Sequence, residues 1–367
     1  MSVLRVLHLP TQVGGNAWNL SRAERSLGVE SDVFYFHEDV FFNHKSDLDN
    51  DFLKTDNKVK RFAAKWHFYR KAVQYYDIFH FNFGQTLFGS SKIGFIDACD
   101  LLYLRNKNKI IAVTFQGNDA RQADYCIKNY KITYFNEIDE KDRDKRIKYA
   151  CKQRKRISKF QKYADLIYAT NPDLINMLPV NAKFRPYTKL DIREYDAVYN
   201  EYQSNKPLLV VHAPSNRKVK GTKYIVAAID RLQRDGYDIE LRLIEGVSND
   251  EAIKMYKDAD LVVDQLLAGW YGGFAVECMA FGKPVMAYIR EEDLGVLPEE
   301  MKCSIPIINA NSKNIYEKLR EICLDKRKLY SIALASRRYV EEWHDNKKIA
   351  KGIIQNYEEA ERRRYKK

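Results

Sequence analysis

Short apolar runs alternate with helix-period segments along the sequence, and that alternation restricts the chain to α/β architectures. Strands are expected at Val3–Leu9, Asp32–Phe36, Ile78–Asn82, Ile110–Thr114 and Leu166–Ala169. A second series is expected at Leu208–Ala213, Ile239–Ile244, Leu261–Val263, Val285–Tyr288 and Ile305–Ile308. Amphipathic stretches such as Tyr224–Leu232 and Asp250–Tyr256 separate most of them. Strands this apolar, separated by helices, form parallel sheets covered on both faces. Two such series, each about half of 367 residues, imply two doubly wound domains.

The seam is expected in Asp191–Lys206, a polar stretch without an apolar period that is followed by Pro207 and a new buried strand. The expected division is a first domain over 1–190, a linker over 191–206, a second domain over 207–338, and a terminal helix with a basic tail over 339–367. Ser336–Tyr357 reads as one helix running into the tail ERRRYKK. A helix of this kind can pack back onto the first domain.

Lys and Arg total 62 against 50 Asp and Glu, and the +12 excess predicts an anionic partner: nucleic acid, a membrane surface or a phosphorylated small molecule. The excess is concentrated. Lys141–Lys162 holds 11 Lys and Arg against two acidic residues. Ile147, Ala150, Cys151, Ile157 and Ala164 fit one helical face there, with Arg154 breaking the stripe. A second basic segment, Lys58–Lys71, interleaves Trp66, Phe68 and Tyr69 with its lysines. Both segments read either as solvated helix faces or as a contact for anionic lipid headgroups made by Lys152, Arg154, Lys155, Arg156 and Trp66. Nucleic-acid binding rests on charge alone, since no recognition motif accompanies it.

The six cysteines form no C-x-x-C pair and no dense framework, so they read as reduced thiols. MSVLRVLHLP lacks a signal-peptide layout, and the most apolar long stretch, Leu266–Gly282, is too short and too polar for a membrane span. A cytoplasmic protein is expected, soluble or peripheral on the inner face of the membrane.

Three segments can carry chemistry. Gly14 and Gly15 stand at a strand-to-helix turn, where glycine lets a ligand approach the backbone and the helix offers amides to an anion. The segment is not a G-x-G-x-x-G fingerprint, which counts against a nicotinamide enzyme. VHAPSNRKVKGT delivers Arg217, Lys218 and Lys220 from a buried strand to the carboxyl edge of a sheet, where open α/β sheets bind ligands. Arg217 and Lys220 suit a diphosphate, one as a planar fork and one as a compact charge, although a solvated basic loop reads equally well. Gly272 and Gly273 precede a helix expected from near Phe274, with Glu277 one turn inside it. That carboxylate can accept hydroxyl hydrogen bonds from a ribose, or simply favour the helix dipole.

VHAPSNRKVKGT, followed about fifty residues later by GGFAVECMAFGKPV, resembles the carboxyl-terminal domain of the retaining GT-B glycosyltransferases of family four, the group 1 transferases. GGNAWNLSRAERSLGVESDV resembles the same family's first glycine turn and helix, and DIFHFNFG and VTFQGNDAR match its next two inner loops more loosely. The resemblance implies two Rossmann-like domains facing a cleft, with the last helix crossing back to the first. It places the donor on His212, Arg217, Lys220, Gly272, Gly273, Phe274 and Glu277, with Gly14 and Gly15 closing from the other side. Arg217 and Lys220 would hold the diphosphate and Glu277 the ribose, while Gly272 and Gly273 would present backbone amides. The acceptor side would use Asn82, Asp119 and Arg121. No metal is implied, because cationic side chains and helix dipoles neutralise the leaving diphosphate.

Two positions depart from the family pattern. A second glutamate eight residues before Glu277 is replaced by Gly269, so its sugar contact is lost or passes to Asp264, Gln265 or Trp270. The third inner loop carries Gln116 where the family often has a histidine; an amide can hydrogen-bond a hydroxyl but cannot shuttle a proton. The implied function is sugar transfer from a UDP- or GDP-sugar to a glycan or lipid-linked acceptor in bacterial capsule or lipopolysaccharide synthesis. Retention in this family is described without an enzyme nucleophile, so Arg217, Lys220 and Gln116 would act by positioning and charge. The alternative is a degraded donor site kept as a binding or membrane-surface module.

Overall fold

The computed structural model describes residues 3–36, 44–89, 98–201, 206–247 and 249–365. The first half runs β1 (Arg5–Leu9), α1 (Asn16–Ser26), β2 (Glu30–Val33), α2 (Lys58–Tyr75), β3 (Ile78–Asn82), α3 (Cys99–Asn106) and β4 (Ile110–Phe115). It continues with α4 (Ala123–Asn129), α5 (Glu140–Tyr163), β5 (Leu166–Ala169), α6 (Pro172–Ile175) and β6 (Lys183–Phe184). The second half runs β7 (Leu208–His212), α7 (Arg217–Lys220), α8 (Thr222–Arg234), β8 (Ile239–Leu243), α9 (Asn249–Asp258), β9 (Leu261–Val263) and α10 (Gly273–Ala280). It ends with β10 (Val285–Ala287), α11 (Glu299–Cys303), β11 (Ile308–Asn309), α12 (Ile315–Leu324), α13 (Lys328–Trp343) and α14 (Asn346–Tyr365).

The strands form two parallel sheets, ordered β2-β1-β3-β4-β5-β6 and β11-β10-β9-β7-β8. Every residue of β3 and β4 is buried, the polar His80, Asn82 and Thr114 included, and most of the rest are apolar, as expected for strands covered on both faces. In each sheet the order reverses direction beside the first strand of its series, the arrangement that gathers ligand loops at the carboxyl ends of α/β sheets.

The chain divides into two compact units: residues 1–121, 150–190 and 346–367 form one, and 122–149 with 191–345 form the other. Three segments depart from the expected division. Residues 191–201 are not a free linker: Val198 N donates to Phe281 O at 2.9 Å, and Arg337 donates to Ala280 O at 2.6 Å and to Tyr195 O. Residues 122–149 pack with the second unit, held by Lys223–Glu137 at 2.6 Å and Lys218–Asp139 at 3.1 Å. The expected helix over Ser336–Tyr357 is broken at His344 and Asp345, where the division also falls. His344 is buried and its Nε2 lies 2.8 Å from the Tyr271 hydroxyl, so α13 stays with the second unit. The crossing-back helix is α14 alone, and its Ala350, Ile353, Tyr357 and Ala360 share a core with Val6, Leu20 and Ile78.

Candidate functional site

In the second unit, β7 ends on His212, which is fully buried. Its Nδ1 lies 2.7 Å from Val263 O and its Nε2 2.9 Å from Thr222 Oγ1. A carbonyl only accepts, so Nδ1 carries the proton and Nε2 accepts from the threonine. Burial pushes the imidazole down to about 4, so it is neutral at physiological pH. His212 ties β7 to β9 and α8, and both of its ring nitrogens are hydrogen-bonded within the unit.

Beyond it, the Asn216 side chain accepts from Val219 N at 3.1 Å and starts the single turn α7. Gly221 ends that turn at φ +80, and a Cβ there would press on Leu266 and Leu267 at 3.3 Å. This close approach lets Leu266 N donate to Lys220 O at 3.1 Å, so the loop after β7 is stitched to the loop after β9.

Both expected diphosphate cations have carboxylate partners. Arg217 is exposed and forks onto Glu245, with Nε 2.9 Å from Oε1. Lys220 is largely buried, its Nζ 2.6 Å from Oδ1 of Asp264, whose side chain is wholly buried. Oδ2 of Asp264 accepts the Gly272 amide at 2.5 Å. A Cβ on Gly272 would lie 3.2 Å from both Asp264 Oδ2 and Lys220 Nζ, so only glycine fits without displacing them. The Gly272 amide expected to face a diphosphate is thus spent on Asp264. Gly273 and Phe274 open α10, where first-turn amides lack intrahelical partners. The Phe274 ring packs edge-on against Tyr256 at 4.9 Å. Glu277 is buried in the second turn of α10, and its charge adds to burial in raising the Tyr195 and Tyr256 hydroxyls.

The two ion pairs differ in what they allow. The Arg217–Glu245 pair is exposed, so exchanging Glu245 for a ligand phosphate costs little. The Glu245→Ala variant is expected to raise affinity for a nucleoside diphosphate by up to about fivefold in calorimetry, because it removes a competitor. Unchanged affinity would show that Arg217 does not reach the ligand. Lys220 cannot leave Asp264 as cheaply, but an ammonium has three donors and Asp264 takes one.

Of the three suggested replacements for the missing glutamate, two are hydrogen-bonded within the unit and the third is buried. Asp264 is engaged as above, Gln265 Nε2 donates to Trp270 O, and Trp270 is buried against Tyr271 with ring centroids 4.3 Å apart. Gly269 has φ +78, and a Cβ there would stand 2.6 Å from the guanidinium carbon of Arg290. Arg290 is buried, pairs with Asp293 at 2.9 Å, donates to Ile132 O at 3.1 Å and lies 3.6 Å over the Tyr130 ring. Sequence reasoning missed Arg290, Glu245 and the anchoring role of Asp264. Asp264 alone left a signal, an acid directly after a buried strand.

In the first unit, Gly14 and Gly15 turn at φ +59 and +74 into α1. The next residue, Asn16, donates to Gln116 Oε1 at 3.0 Å and accepts from Thr188 N at 3.0 Å, so the structure gathers the glycine turn and Gln116. Gln116 is buried and its Nε2 has no hydrogen-bond partner among the described residues. The three residues expected on the acceptor side are each engaged within the first unit. Asp119 is buried and accepts the amides of Gln116 at 3.1 Å and Gly117 at 2.7 Å, so it braces the loop; burial pushes its carboxyl up to about 6 against those bonds. Arg121 is locked onto buried Asp173 by two bonds of 2.6 and 2.9 Å. Asn82 is buried and donates to His80 O at 3.2 Å.

Trp66 is half-buried, its ring packed among Tyr69, Phe88 and Tyr103 at 6.1, 5.6 and 5.2 Å. On α5, Lys152, Arg154 and Lys155 are exposed and Arg156 is half-buried. The packed stripe of α5 is Ala150, Gln153, Ile157 and Phe160, so Cys151 lies off it and Arg154 does not break it. Among the described residues, no helix is long and apolar enough to cross a membrane.

The chain has an α/β fold of two parallel-sheet Rossmann-like units, the GT-B glycosyltransferase-like fold. Among solved structures it is similar to sucrose-phosphate synthase from Thermosynechococcus elongatus, with a TM-score of 0.59, 15% identity and coverage of 97% of this chain and 98% of that one. It is also similar to HepE of Anabaena in complex with UDP, with a TM-score of 0.59, 12% identity and coverage of 97% and 100%. An α-glucosyltransferase in complex with UDP and a DNA 13-mer gives a TM-score of 0.52 at 10% identity over 97% and 100%. No family model matches the chain. No curated protein matches it either.

Proposed function

We propose that the chain is a glycosyltransferase that moves a sugar from a nucleotide-diphosphate donor, UDP- or GDP-linked, to a glycan or lipid-linked acceptor in bacterial surface-polysaccharide synthesis. The observation that carries this reading is the cluster of Lys220, Asp264 and Gly272 at the start of α10, with Glu277 one turn further on. Such a cluster offers a fixed ammonium and first-turn amides to a leaving diphosphate, and a carboxylate to ribose hydroxyls. Solved structures of the same fold are complexes with UDP and with UDP-glucose. Charge stabilisation by protein groups suits a metal-independent transfer, and the resemblance to the family-four transferases implies retention without a side-chain nucleophile. The unpartnered Gln116 amide is suited to a sugar hydroxyl.

Metal-free calorimetry with UDP, GDP and ADP tests the proposal. One nucleotide is expected to bind saturably to the wild type and about 10 to 100-fold more weakly to Glu277→Ala, the worth of hydrogen bonds to a charged group. A second reading, a GT-B protein whose donor site is degraded and which acts as a binding or membrane-surface partner, is favoured by Arg290 filling the space beside Gly269. Failure of all three nucleotides to bind would select it.

A further inference from the structure

Within the first unit, the sheet face beneath α1 and α14 carries a buried polar cluster. His8 of β1 and His80 of β3 are register partners, as are Thr114 of β4 and Tyr168 of β5. His80 Nε2 lies 2.7 Å from Thr114 Oγ1, and its Nδ1 lies 2.5 Å from the hydroxyl of Tyr357 on α14. The two imidazole centroids are 5.0 Å apart. On the α1 side, Glu24 accepts from His8 Nε2 at 2.8 Å and from the Ser31 hydroxyl at 2.6 Å. Arg185, just after β6, completes the cluster, and its charge reaches His80, Tyr168 and Tyr357. Each of these side chains is buried. The elements around the cluster are held unequally. β1, β3 and β4 are paired on both sides by parallel ladders, and α1 is tied by Asn16 to Gln116 and Thr188 and by Ser21 to Ser31 O. α14 has its apolar stripe of Ala350, Ile353, Tyr357 and Ala360, the Tyr357–His80 contact, and the Arg364–Asp165 pair near its end. Lacking a ladder, α14 is the element that leaves the cluster at least cost.

We propose that this cluster is an acid-sensitive lock: neutral His80 keeps Tyr357 and its helix on the sheet, and proton uptake by His80 releases α14 while the strands stay paired. His80 is neutral in the docked state because burial, with His8 and the Arg185 charge adding to it, holds its imidazole well below the usual range. Protonation would place a buried cation in the field of Arg185, while the carboxylate of the cluster, Glu24, already accepts from His8 and Ser31. Water is the remaining way to solvate that charge, and it reaches His80 when α14 lifts. Tyr168 and Tyr357 stay neutral throughout, since burial pushes their hydroxyls up. The docked state binds fewer protons than the lifted one, so lifting is favoured as pH falls below about 6.5, the ordinary value for histidine. Relative to pH 7.5, the lifted population is expected to rise up to about tenfold by pH 5.5. Glu361 of α14 acts in the opposite direction, since burial and the Asp77 charge raise its carboxyl in the docked state. So do Asp100 and Asp119, pushed up to about 6 by burial, but they lie on α3 and in the loop after β4 and act on the unit rather than on α14.

The test is hydrogen exchange of the full chain followed by mass spectrometry between pH 7.5 and 5.5, with protection corrected for the intrinsic pH dependence of exchange. Peptides from 346–365 are expected to lose up to about tenfold in protection, while peptides of β3 and β4 keep theirs. His80→Gln keeps an amide for the two hydroxyls but cannot take up a proton, so the loss at α14 is expected to vanish in that variant. Should it not fold by circular dichroism, His80→Leu with Thr114→Val and Tyr357→Phe replaces all three partners by apolar groups and is expected to give the same flat profile. Protection of α14 that does not change with pH in the wild type would overturn the lock. So would a loss that survives the removal of His80, or a parallel loss in β3 and β4.

Discussion

Replacing Gly269 by glutamate, the residue the family resemblance would put there, is expected to destabilise the protein rather than to supply a sugar contact. The backbone at Gly269 has φ +78, which costs a residue with a Cβ about 1 to 2 kcal/mol. The new Cβ would then meet the guanidinium carbon of Arg290 at 2.6 Å. Arg290 cannot swing away cheaply, because it is buried between Asp293, Ile132 O and the Tyr130 ring. Overpacking of this kind costs about 1 to 3 kcal/mol, for a total of about 2 to 5 kcal/mol. The new carboxylate would not recover it by pairing with Arg290, since it extends beyond the atom that its own Cβ overlaps. A lowered urea midpoint for Gly269→Glu checks this, and Gly269→Ala should carry most of the same loss because the clash begins at Cβ. A glutamate variant of wild-type stability would show that Arg290 yields easily and that the departure from the family pattern is harmless.

Gly269 also shows where the sequence is readable and where it is not. The strands were legible because burial on both faces keeps most of their residues apolar: β3, β5 and β9 fall on the expected residues, and the others differ by a few residues at their ends. The two-residue β6 was invisible, and β11 lies later than the expected Ile305–Ile308, because strands this short carry no period. Site charges were legible as residues but not as pairs. Arg121 meets Asp173 52 positions away, Arg217 meets Glu245 28 away and Lys220 meets Asp264 44 away. Nothing local to a cation names its partner, so the carboxylates paired with three candidate ligand residues were not legible.

The same limit explains the misread helix faces. Gln153 does not look like a core residue, yet it is buried because its amide satisfies two carbonyls of the loop after β4. With Gln153 in the stripe, the buried face of α5 shifts. Trp66 looked like an interface anchor because its neighbours in sequence are basic. Its neighbours in space are aromatic, and they decide where the ring goes.

Lys220→Ala is expected to produce two separable losses. Removing the ammonium leaves Asp264, wholly buried, with the Gly272 amide but no counter-charge. Breaking a buried pair from one side costs about 3 to 5 kcal/mol, so the variant should unfold at distinctly lower urea. A plain loss of nucleotide binding by this variant would therefore be ambiguous. Asp264→Asn in the Lys220→Ala background removes the stranded charge while keeping an oxygen to accept the Gly272 amide. Most of the stability is expected to return. Nucleotide affinity is not: a charge-assisted bond to phosphate is worth about 1.5 to 3 kcal/mol, so the double variant should still bind about 10 to 100-fold more weakly than wild type. Wild-type affinity in the stable double variant would remove Lys220 from the diphosphate site and make its pairing with Asp264 purely a brace between β7 and β9. Persistent weakness at restored stability would instead separate the two jobs of one ammonium: one donor holds the fold, and the remaining donors hold the ligand.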